Sequence, residues 1–254
     1  MANLTFLGTG TSNGVPVLGC NCATCKSPDK KNRRSRTSAF YEADNGAKIL
    51  IDVGTDFREQ SLRSKILWID GILITHSHQD HIGGIDELRQ LNFIMQRSID
   101  VFADQRSLEE IRHRFDYIFK QTQEGGGKPQ INLKEINAPF EILNQKIIPI
   151  PVMHGEIPIN GFRIGNFSYI TDASFIPESS MNLLEGTKNL VINALRFEPH
   201  PTHMNLEEAL AVIDKIKPEK AWLIHLTHKF HHRRDQKFLP KNVYFAYDGL
   251  RIKV

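Results

Sequence analysis

Short apolar runs rich in β-branched and aromatic residues recur along the chain and are bounded by glycine or polar residues. This pattern is typical of β-strands. Eight strands are predicted, over residues 4–8, 37–43, 47–53, 70–75, 146–154, 167–172, 219–225 and 242–249. Several of them end directly in a His or an Asp. Side chains at strand ends sit on a rigid scaffold and face one edge of a sheet, an arrangement that suits a metal site.

Apolar residues at helical spacing predict helices over residues 86–96, 107–119 and 205–216. In the last of these, Asn205 is placed to cap the helix, and Glu207 and Glu208 suit the positive end of its dipole. Strands that alternate with helices in this way predict an α/β fold. At 254 residues, the chain is expected to form a single domain over 1–254, because α/β folds of this length commonly form one unit.

The composition is that of an ordinary globular protein, with 40% hydrophobic and 24% charged residues. No apolar stretch approaches the roughly 18 residues of a membrane span, and residues 1–14 lack the pattern of a secretory signal, so a cytoplasmic location is expected. The segment 121–130, with Gly125-Gly126-Gly127, is predicted to be a surface loop that could act as a lid.

Positive charge is concentrated in two short runs, although the net charge of +3 is too small to favour a nucleic-acid partner by itself. The first run contains Lys30, Lys31, Arg33, Arg34 and Arg36, and the second contains Lys229, His231, His232, Arg233 and Arg234. Such runs are usually solvated surfaces. Phosphate recognition is the alternative interpretation.

The sequence His76-Ser77-His78-Gln79-Asp80-His81 follows a predicted strand and precedes Gly83-Gly84, which could open the next helix. Three imidazoles and a carboxylate within six residues have no evident structural purpose. Imidazole nitrogen and carboxylate oxygen suit zinc, manganese or iron, and a tight turn can direct two side chains to each of two ions. The motif therefore predicts a metal site.

This motif has the form HxHxDH and resembles the signature of the metallo-β-lactamase superfamily. The resemblance implies an αββα sandwich, in which two mixed β-sheets are flanked by helices. It also implies that His154, Asp172 and His225, each at a predicted strand end, complete the ligand set. One ion would be held by His76, His78, His154 and Asp172, and the other by Asp80, His81, Asp172 and His225. Taken alone, His154 and His225 would more often be structural histidines.

Two neighbouring cations of this kind, zinc or manganese, lower the pKa of a bridging water towards neutrality and hold a substrate oxygen. The resulting hydroxide would be the nucleophile. Asp80 and Asp172 would orient it, while the ions stabilise the charge that develops in the transition state. Sequence does not distinguish zinc from manganese, because His and Asp ligands accept both.

Cys20, Cys22 and Cys25 are the three cysteines of the chain. An odd count packed this closely argues against a disulfide framework. Three thiolates and one histidine form a common tetrahedral set for structural zinc, so a distant histidine is expected to join them. Three free thiols in a loop are the alternative.

The segments FLGTGTSNGVPVLGCNCATC, HSHQDH and LIHLTHKF together resemble the family of phosphoribosyl 1,2-cyclic phosphate phosphodiesterases of the carbon–phosphorus lyase pathway. The similarity runs over nearly the whole chain. It implies that His228 completes a structural zinc site with Cys20, Cys22 and Cys25. It also implies that His203 donates a proton to the leaving alcohol, with His200 as a nearby alternative. The partner would be a small phosphorylated substrate.

Hydrolysis of a small, cyclic or nucleotide-like phosphodiester is therefore the leading hypothesis. A tRNA 3′-end endonuclease is also built on HxHxDH, but the long Gly- and Pro-rich arm and the His-Glu-Ala-Thr element typical of that enzyme are not found in the sequence. Lactone or thioester hydrolysis stays open because the same ions polarise carbonyl groups. So does a non-catalytic carrier protein on this fold, although its ligands would normally be broken. The oligomeric state is also open, with a homodimer as one option.

Overall fold

The computed structural model describes residues 2–121 and 127–254, and within them the strands form two seven-stranded mixed sheets. The first sheet has the order β14-β1-β2-β3-β4-β5-β6. Its strands are β1 (Asn3–Gly8), β2 (Ser38–Glu42), β3 (Lys48–Ile51), β4 (Gly71–Leu73), β5 (Ile99–Ala103), β6 (Ile131–Glu135) and β14 (Arg251–Lys253). Strands β3 to β6 run parallel, and the other neighbours in this sheet are antiparallel.

The second sheet has the order β13-β12-β11-β10-β9-β8-β7. Its strands are β7 (Phe140–Ile142), β8 (Gln145–His154), β9 (Ile157–Ile164), β10 (Phe167–Tyr169), β11 (Asn189–Asn193), β12 (Lys220–Ile224) and β13 (Val243–Phe245). Strands β10 to β13 are parallel, and β7 to β10 are antiparallel. Each sheet therefore combines a parallel and an antiparallel half.

Helices cover the outer faces of the two sheets. In chain order they are α1 (Phe57–Ser64), α2 (Gln79–Ile82), α3 (Leu88–Met95), α4 (Gln105–Arg114), α5 (Asp116–Phe119), α6 (Glu178–Leu183), α7 (Leu206–Ile216) and α8 (His232–Asp235). Within the described ranges, none of them is long and apolar enough to cross a membrane.

Successive side chains along the strands point to different hydrophobic cores. The inner core lies between the two sheets, and each of two outer cores lies between one sheet and its helices. In β3, Ile49 and Ile51 face the core between the two sheets, while Leu50 faces the core under α1, α3 and α4. In β12, Trp222 belongs to the inner core and Leu223 to the core beside α7. This period of two is that of strands buried on both faces. The result is the αββα sandwich of two mixed sheets that the family resemblance implies.

The predicted elements agree with the structure in type and differ from it in extent. All eight predicted strands are present. The helix predicted over 107–119 is interrupted at Phe115, between α4 and α5. Gly83 ends α2, whereas Gly84 opens a 3-10 turn, Ile85–Glu87, that leads into α3. At α7, Asn205 accepts a hydrogen bond from the Glu208 N–H while the Glu208 side chain accepts one from the Asn205 N–H, as the capping prediction requires.

The described part of the predicted loop 121–130 leads into β6. The Ile99 N–H donates to the Gln130 carbonyl at 3.0 Å, which places Gln130 beside the first residue of β5. His76 follows the opposite end of the parallel neighbour β4. The described flank of this loop therefore lies at the opposite end of the parallel strands from the HxHxDH motif. Residues 122–126, to which the prediction of a lid also applies, lie outside the described residues.

Candidate metal centre

The HxHxDH motif forms the turn between β4 and α2. His78 is the residue that caps α2, so Asp80 and His81 lie in the first turn of that helix while His76 precedes it. His76, Asp80 and His81 are buried, and His78 is exposed. The turn thus separates its four side chains into two pairs, one before and one within the helix.

Each pair is joined by side chains from the second sheet. The first group consists of His76, His78 and His154, whose ligand atoms lie within 4.8 Å of one another. The second group, within the same limit, consists of Asp80, His81, Asp172 and His225. The structure therefore brings together all seven residues that the sequence predicts as ligands.

Asp172 lies between the two groups. Its Oδ2 atom is 3.9 Å from His76 Nε2, while its Oδ1 atom is 3.5 Å from His81 Nε2 and 3.1 Å from His225 Nδ1. One carboxylate oxygen faces each group. This is the placement that a bridging ligand needs.

The donor atoms themselves indicate that cations fit between them. Within residues 2–121 and 127–254, His76 Nε2 and His81 Nε2 are fully buried and have no hydrogen-bond partner. A buried polar atom without a partner costs free energy, which coordination of a cation offsets. Imidazole nitrogens together with carboxylates form a donor set that zinc and manganese accept. The residues present therefore fit two divalent cations.

The opposite nitrogens of two of these rings are held by fixed partners. His81 Nδ1 lies 2.7 Å from Asp52 Oδ2, and His154 Nδ1 donates to the Thr202 carbonyl at 2.7 Å. Such contacts set the tautomer and leave Nε2 free for an ion. Neither Asp52 nor Thr202 was among the residues predicted from the sequence. For Asp52, a signal was available, because it directly follows strand β3.

Three residues of the site adopt backbone conformations that only glycine adopts readily. Asp52, Asp172 and His225 have φ angles of 60°, 58° and 55°. Each such residue costs on the order of 1–3 kcal/mol and persists only where its surroundings impose the conformation. All three lie just beyond the ends of strands, where the chain turns to present a side chain to the centre.

Burial and charge set the protonation of the cluster. Burial lowers the pKa of His225 to about 4 and the pKa of His76 well below its usual value, so both rings are neutral, which is the form that binds metals. Burial opposes the charge of Asp172, but His225 and His81 outweigh it and hold its pKa well below the usual value. Burial likewise disfavours a charged His81, yet the carboxylates of Asp172, Asp80 and Asp52 raise its pKa. The carboxylates therefore leave an excess of negative charge that favours cations.

His203 lies beside the bridging carboxylate. Its Nε2 atom is 3.2 Å from Asp172 Oδ2, and its Nδ1 atom is 2.9 Å from the Thr202 hydroxyl. His200 is one step further out, with its Nδ1 atom 3.3 Å from His203 Nδ1. Of the two histidines that the sequence leaves open as proton donors, His203 is the one next to the predicted ligands.

The three cysteines converge on His228. The Sγ atoms of Cys20, Cys22 and Cys25 lie 3.1, 3.5 and 3.6 Å from His228 Nδ1, and the four ligand atoms lie within 4.8 Å of one another. Tetrahedral zinc with ordinary bond lengths separates sulfur and nitrogen ligands by about 3.5 Å. A hydrogen bond from the Cys25 N–H lowers the pKa of Cys22 to about 6 and so favours its thiolate. This geometry and chemistry suit a Cys3His zinc site.

The family model described as "Beta-lactamase superfamily domain" matches residues 47–226. The chain belongs to this superfamily. The match includes the HxHxDH turn, His154, Asp172 and His225, so that the whole cluster of predicted ligands lies within the superfamily domain. The fold and the His and Asp cluster of this chain are therefore those of a β-lactamase superfamily domain.

Two solved structures are similar to this chain over nearly its whole length. A crystal structure of a "New Diphosphatase from the PhnP Family" superposes with a TM-score of 0.92 at 39% identity, covering 99% of this chain and 96% of that chain. Zinc-bound PqqB from Methylobacterium extorquens superposes with a TM-score of 0.77 at 16% identity, covering 99% of this chain and 100% of that one, and so shares the fold.

An octanoyltransferase from Porphyromonas gingivalis is 38% identical over 249 residues, which make up 96% of this chain. The match covers 50% of that protein. This chain therefore spans about half the length of that relative.

Two arginines of the first basic run have partners within the protein, whereas Lys30, Lys31 and Arg33 of the same run are exposed, as expected of a solvated surface. The Arg34 side chain is buried and donates to the carbonyls of Thr227 and Phe230, each at 2.9 Å. Arg36 forms an ion pair with Asp56 at 3.0 Å. Arg34 is thus neither solvated nor available to phosphate, because its charge fixes the segment that leads to His228.

Proposed function

We propose that this protein is a metal-dependent hydrolase, and that it acts as a phosphodiesterase on a small, cyclic phosphodiester. The observation that supports it most is the position of His203, whose Nε2 atom lies 3.2 Å from the carboxylate between two groups of candidate metal-ligand atoms, where it could donate a proton to a substrate. Hydrolysis of a phosphodiester needs three functions: stabilisation of negative charge, an oriented water and a proton for the leaving alcohol. The similarity to a PhnP-family diphosphatase also favours phosphorus as the reaction centre.

The residues of this chain would bind the cations, orient the water and donate the proton. His76, His78 and His154 would hold one divalent cation, Asp80, His81 and His225 would hold the other, and Asp172 would bridge them. The cations, when bound, would polarise the phosphoryl group and make water a nucleophile at neutral pH. The Asp80 carboxylate would accept a hydrogen bond from the attacking water and orient it. A proton on His203 Nε2, which faces Asp172, would pass to the leaving oxygen.

The identity of the ions belongs to the same proposal. Zinc or manganese would occupy the two catalytic positions, and zinc would occupy the site formed by Cys20, Cys22, Cys25 and His228. The zinc bound by PqqB, which has the same fold, supports zinc as one candidate. A homodimer and a cytoplasmic location stay predictions.

The alternatives have weaker support. The basic run 30–36 is the candidate RNA contact of a tRNA endonuclease, but two of its five cations have partners within the protein, since Arg34 is buried and Arg36 is paired with Asp56. The octanoyl-transfer activity named for the Porphyromonas relative does not carry over, because half of that protein lies outside the match. Thioester hydrolysis would not need the proton of His203, since a thiolate leaves without protonation. A lactone releases an alkoxide, as a phosphodiester does, so His203 does not separate these two reactions, and the similarity to a diphosphatase favours the phosphodiester.

The leaving group provides a direct test of the proposal. His203→Ala should reduce kcat about 100-fold or more for 2′,3′-cyclic AMP, whose alkoxide must be protonated as it leaves, since general acids contribute about 10²–10⁴-fold. The loss should be less than about tenfold for bis(p-nitrophenyl) phosphate, because p-nitrophenolate needs little protonation. Steady-state kinetics with the manganese- or zinc-loaded protein measure both values.

His113→Ala is the matched control, because His113 is an exposed histidine on α4 outside the metal-ligand groups. It should behave as the wild type with both substrates. Equal losses on both substrates in His203→Ala would exclude the role of general acid, and a wild type that cleaves neither phosphodiester would contradict the proposed function.

A further inference from the structure

A cavity of about 360 Å³ opens beside strands β12 and β13. Lys220, the first residue of β12, is one of its walls, whereas the predicted ligand His225 follows the other end of that strand. Among the described residues, none that lines the cavity belongs to the metal-ligand groups. Pockets for small molecules are about 300–1,000 Å³. The cavity is therefore large enough to hold a small molecule separately from the metal centre.

Aromatic side chains form one part of the cavity wall, and they are Trp222, Tyr244, Phe245 and Tyr247. The ring centroids of Trp222 and Tyr244 lie 6.3 Å apart. Tyr244 is exposed and Tyr247 is half-buried, so both rings can be reached from solvent. Aromatic rings of this kind are the surfaces on which nucleic-acid bases stack. These walls therefore suit a planar ligand.

His232 lines the same cavity with an imidazole whose hydrogen-bonding capacity is unused. The residue is only 7% exposed. Within residues 2–121 and 127–254, neither of its ring nitrogens forms a hydrogen bond; Nδ1 is fully enclosed, and Nε2 is the nitrogen that remains accessible. Burial, together with the charges of Lys31 and Arg34, lowers the pKa of His232 to about 4, so the ring is neutral. An unpaired polar atom in a buried side chain costs free energy, which a hydrogen bond from Nε2 to a ligand would offset.

The two basic runs of the sequence converge at this cavity and make it positively charged. The His232 N–H donates to the Asn32 side-chain oxygen at 2.8 Å, which joins the second run to the first. Lys31 Nζ lies 4.5 Å from the centroid of the Tyr247 ring. Lys31 and Lys220 are both exposed wall residues, and none of the described residues that line the cavity is an Asp or a Glu. The cavity therefore favours an anion.

We propose that this cavity, the aromatic cavity, binds a nucleoside monophosphate at a site separate from the metal centre. Such a ligand joins the two groups that the walls recognise, a planar ring and an anion. The base packs against Tyr244 and Tyr247, the phosphate pairs with the ammonium groups of Lys31 and Lys220, and His232 Nε2 hydrogen-bonds to a polar atom of the base. The inference does not depend on the proposed function, because it concerns binding at a second site.

Tryptophan fluorescence tests the proposal, because Trp222 is one of only two tryptophans in the chain. The other, Trp68, donates its indole N–H to Asp70 and does not line the cavity. Trp68→Phe therefore leaves Trp222 as the only reporter. Adenosine 5′-monophosphate should quench the fluorescence of this metal-loaded variant in a saturable manner. Adenosine and ribose 5-phosphate should each bind at least about tenfold more weakly, because each lacks one of the two recognised groups.

Two substitutions in the same background separate the contributions of charge and hydrogen bonding. Lys31→Gln should weaken binding of adenosine 5′-monophosphate at least about fivefold and leave adenosine unaffected, because it removes a charge-assisted hydrogen bond to phosphate. Lys30→Gln is the matched control, since Lys30 is the exposed neighbour that does not line the cavity, and it should bind as its parent does. His232→Phe keeps a ring and should weaken both compounds about threefold or more through the loss of one hydrogen bond.

The proposal would be overturned by fluorescence that stays unchanged up to millimolar adenosine 5′-monophosphate. Equal weakening by Lys31→Gln and Lys30→Gln would also overturn it, because that result would indicate a general surface charge. Sedimentation without nucleotide should be the same for the parent and Tyr244→Ala. A smaller species in Tyr244→Ala would show that a second copy of the chain covers the cavity, and would contradict the proposal as well. None of these results bears on the proposed function, because none of them measures hydrolysis.

Discussion

Asp52 is a buried carboxylate that fixes the ring of His81. It accepts hydrogen bonds from the Thr75 N–H at 2.8 Å and from the Thr75 hydroxyl at 2.9 Å, and it lies 2.7 Å from His81 Nδ1. A carboxylate in this position increases the basicity of the imidazole and directs its other nitrogen towards a metal. The residue has no place in the HxHxDH motif, yet it contacts one of the motif's ligands.

Asp52→Asn should weaken metal binding without unfolding the site. The amide keeps the shape of the side chain and removes its charge, and loss of such a partner typically costs 10–100-fold in metal affinity. Competition with a chromogenic chelator measures the change. Asp214→Asn, at an exposed position of α7, should leave the affinity unaltered. An Asp52→Asn protein with wild-type metal affinity would show that the contact between Asp52 and His81 does not affect metal binding.

The candidate metal ligands could be predicted from the sequence, whereas the residues that hydrogen-bond to them could not. His76, His78, Asp80 and His81 could be predicted because they are adjacent in the sequence, and His154, Asp172 and His225 because the family resemblance fixes their order. Asp52 and Thr202 contact the ligands His81 and His154 across 29 and 48 positions of the sequence. The position of Asp52 after a strand marks it as a candidate residue, but its contact with His81 depends on sheet register, which local patterns do not reveal.

The segment after β3 packs against the HxHxDH turn and is joined to it by backbone hydrogen bonds. The Val53 N–H donates to the His81 carbonyl, and the Gly84 N–H donates to the Val53 carbonyl, both at 2.8 Å. A Cβ atom on Gly54 would lie 2.0 Å from the Asp80 carbonyl oxygen. The two backbones approach so closely that position 54 has no room for a side chain.

Gly54→Ala should therefore displace the turn and destabilise the protein. Overpacking of this kind costs about 1–3 kcal/mol, and urea unfolding measures the loss. Metal affinity should fall as well, because Asp80 and His81 belong to the displaced backbone. Gly127→Ala serves as the control, since no atom of the described residues lies within 4 Å of a Cβ atom built there. If Gly54→Ala were as stable as Gly127→Ala, the close approach would not constrain the turn.

Among the described strands, six were not predicted, namely β5, β6, β7, β9, β11 and β14. Strand β9 contains Pro158 and Asn160-Gly161, which are typical of turns. In the structure, Gly161 allows close packing, because a Cβ atom there would lie 2.9 Å from the Tyr169 carbonyl oxygen. Helix α1 buries Phe57 and Gln60, and its other apolar residue, Leu62, is exposed, so its apolar stripe is too sparse to predict a helix.

In the whole molecule, the metal centre lies where the two sheets meet. The HxHxDH turn follows β4 of the first sheet, whereas His154 ends β8, and Asp172 and His225 follow β10 and β12 of the second. Both sheets contribute to the same inner core. The ligand set is therefore complete only when the sheets are packed, so bound cations should stabilise the native sandwich.

Metal content tests the predicted number of sites in the whole molecule. The native protein should contain three metal ions per chain, and Cys22→Ser should contain two, because a serine hydroxyl is a poor zinc ligand beside a thiolate. Elemental analysis of purified protein gives the count. His113→Gln should retain three ions. A Cys22→Ser protein with an unchanged metal count would contradict the Cys3His site.

The substrate is the property that the ligands predict least, since the same cations serve phosphoryl and carbonyl chemistry. The most direct test of the central claim is therefore the rate of bis(p-nitrophenyl) phosphate hydrolysis by metal-loaded wild type and Asp172→Ala, with Asp214→Ala as the control. The account predicts hydrolysis by the wild type and the control, and a loss of at least about 100-fold in Asp172→Ala, the effect of removing one preorganised electrostatic group. Full activity in Asp172→Ala would contradict it.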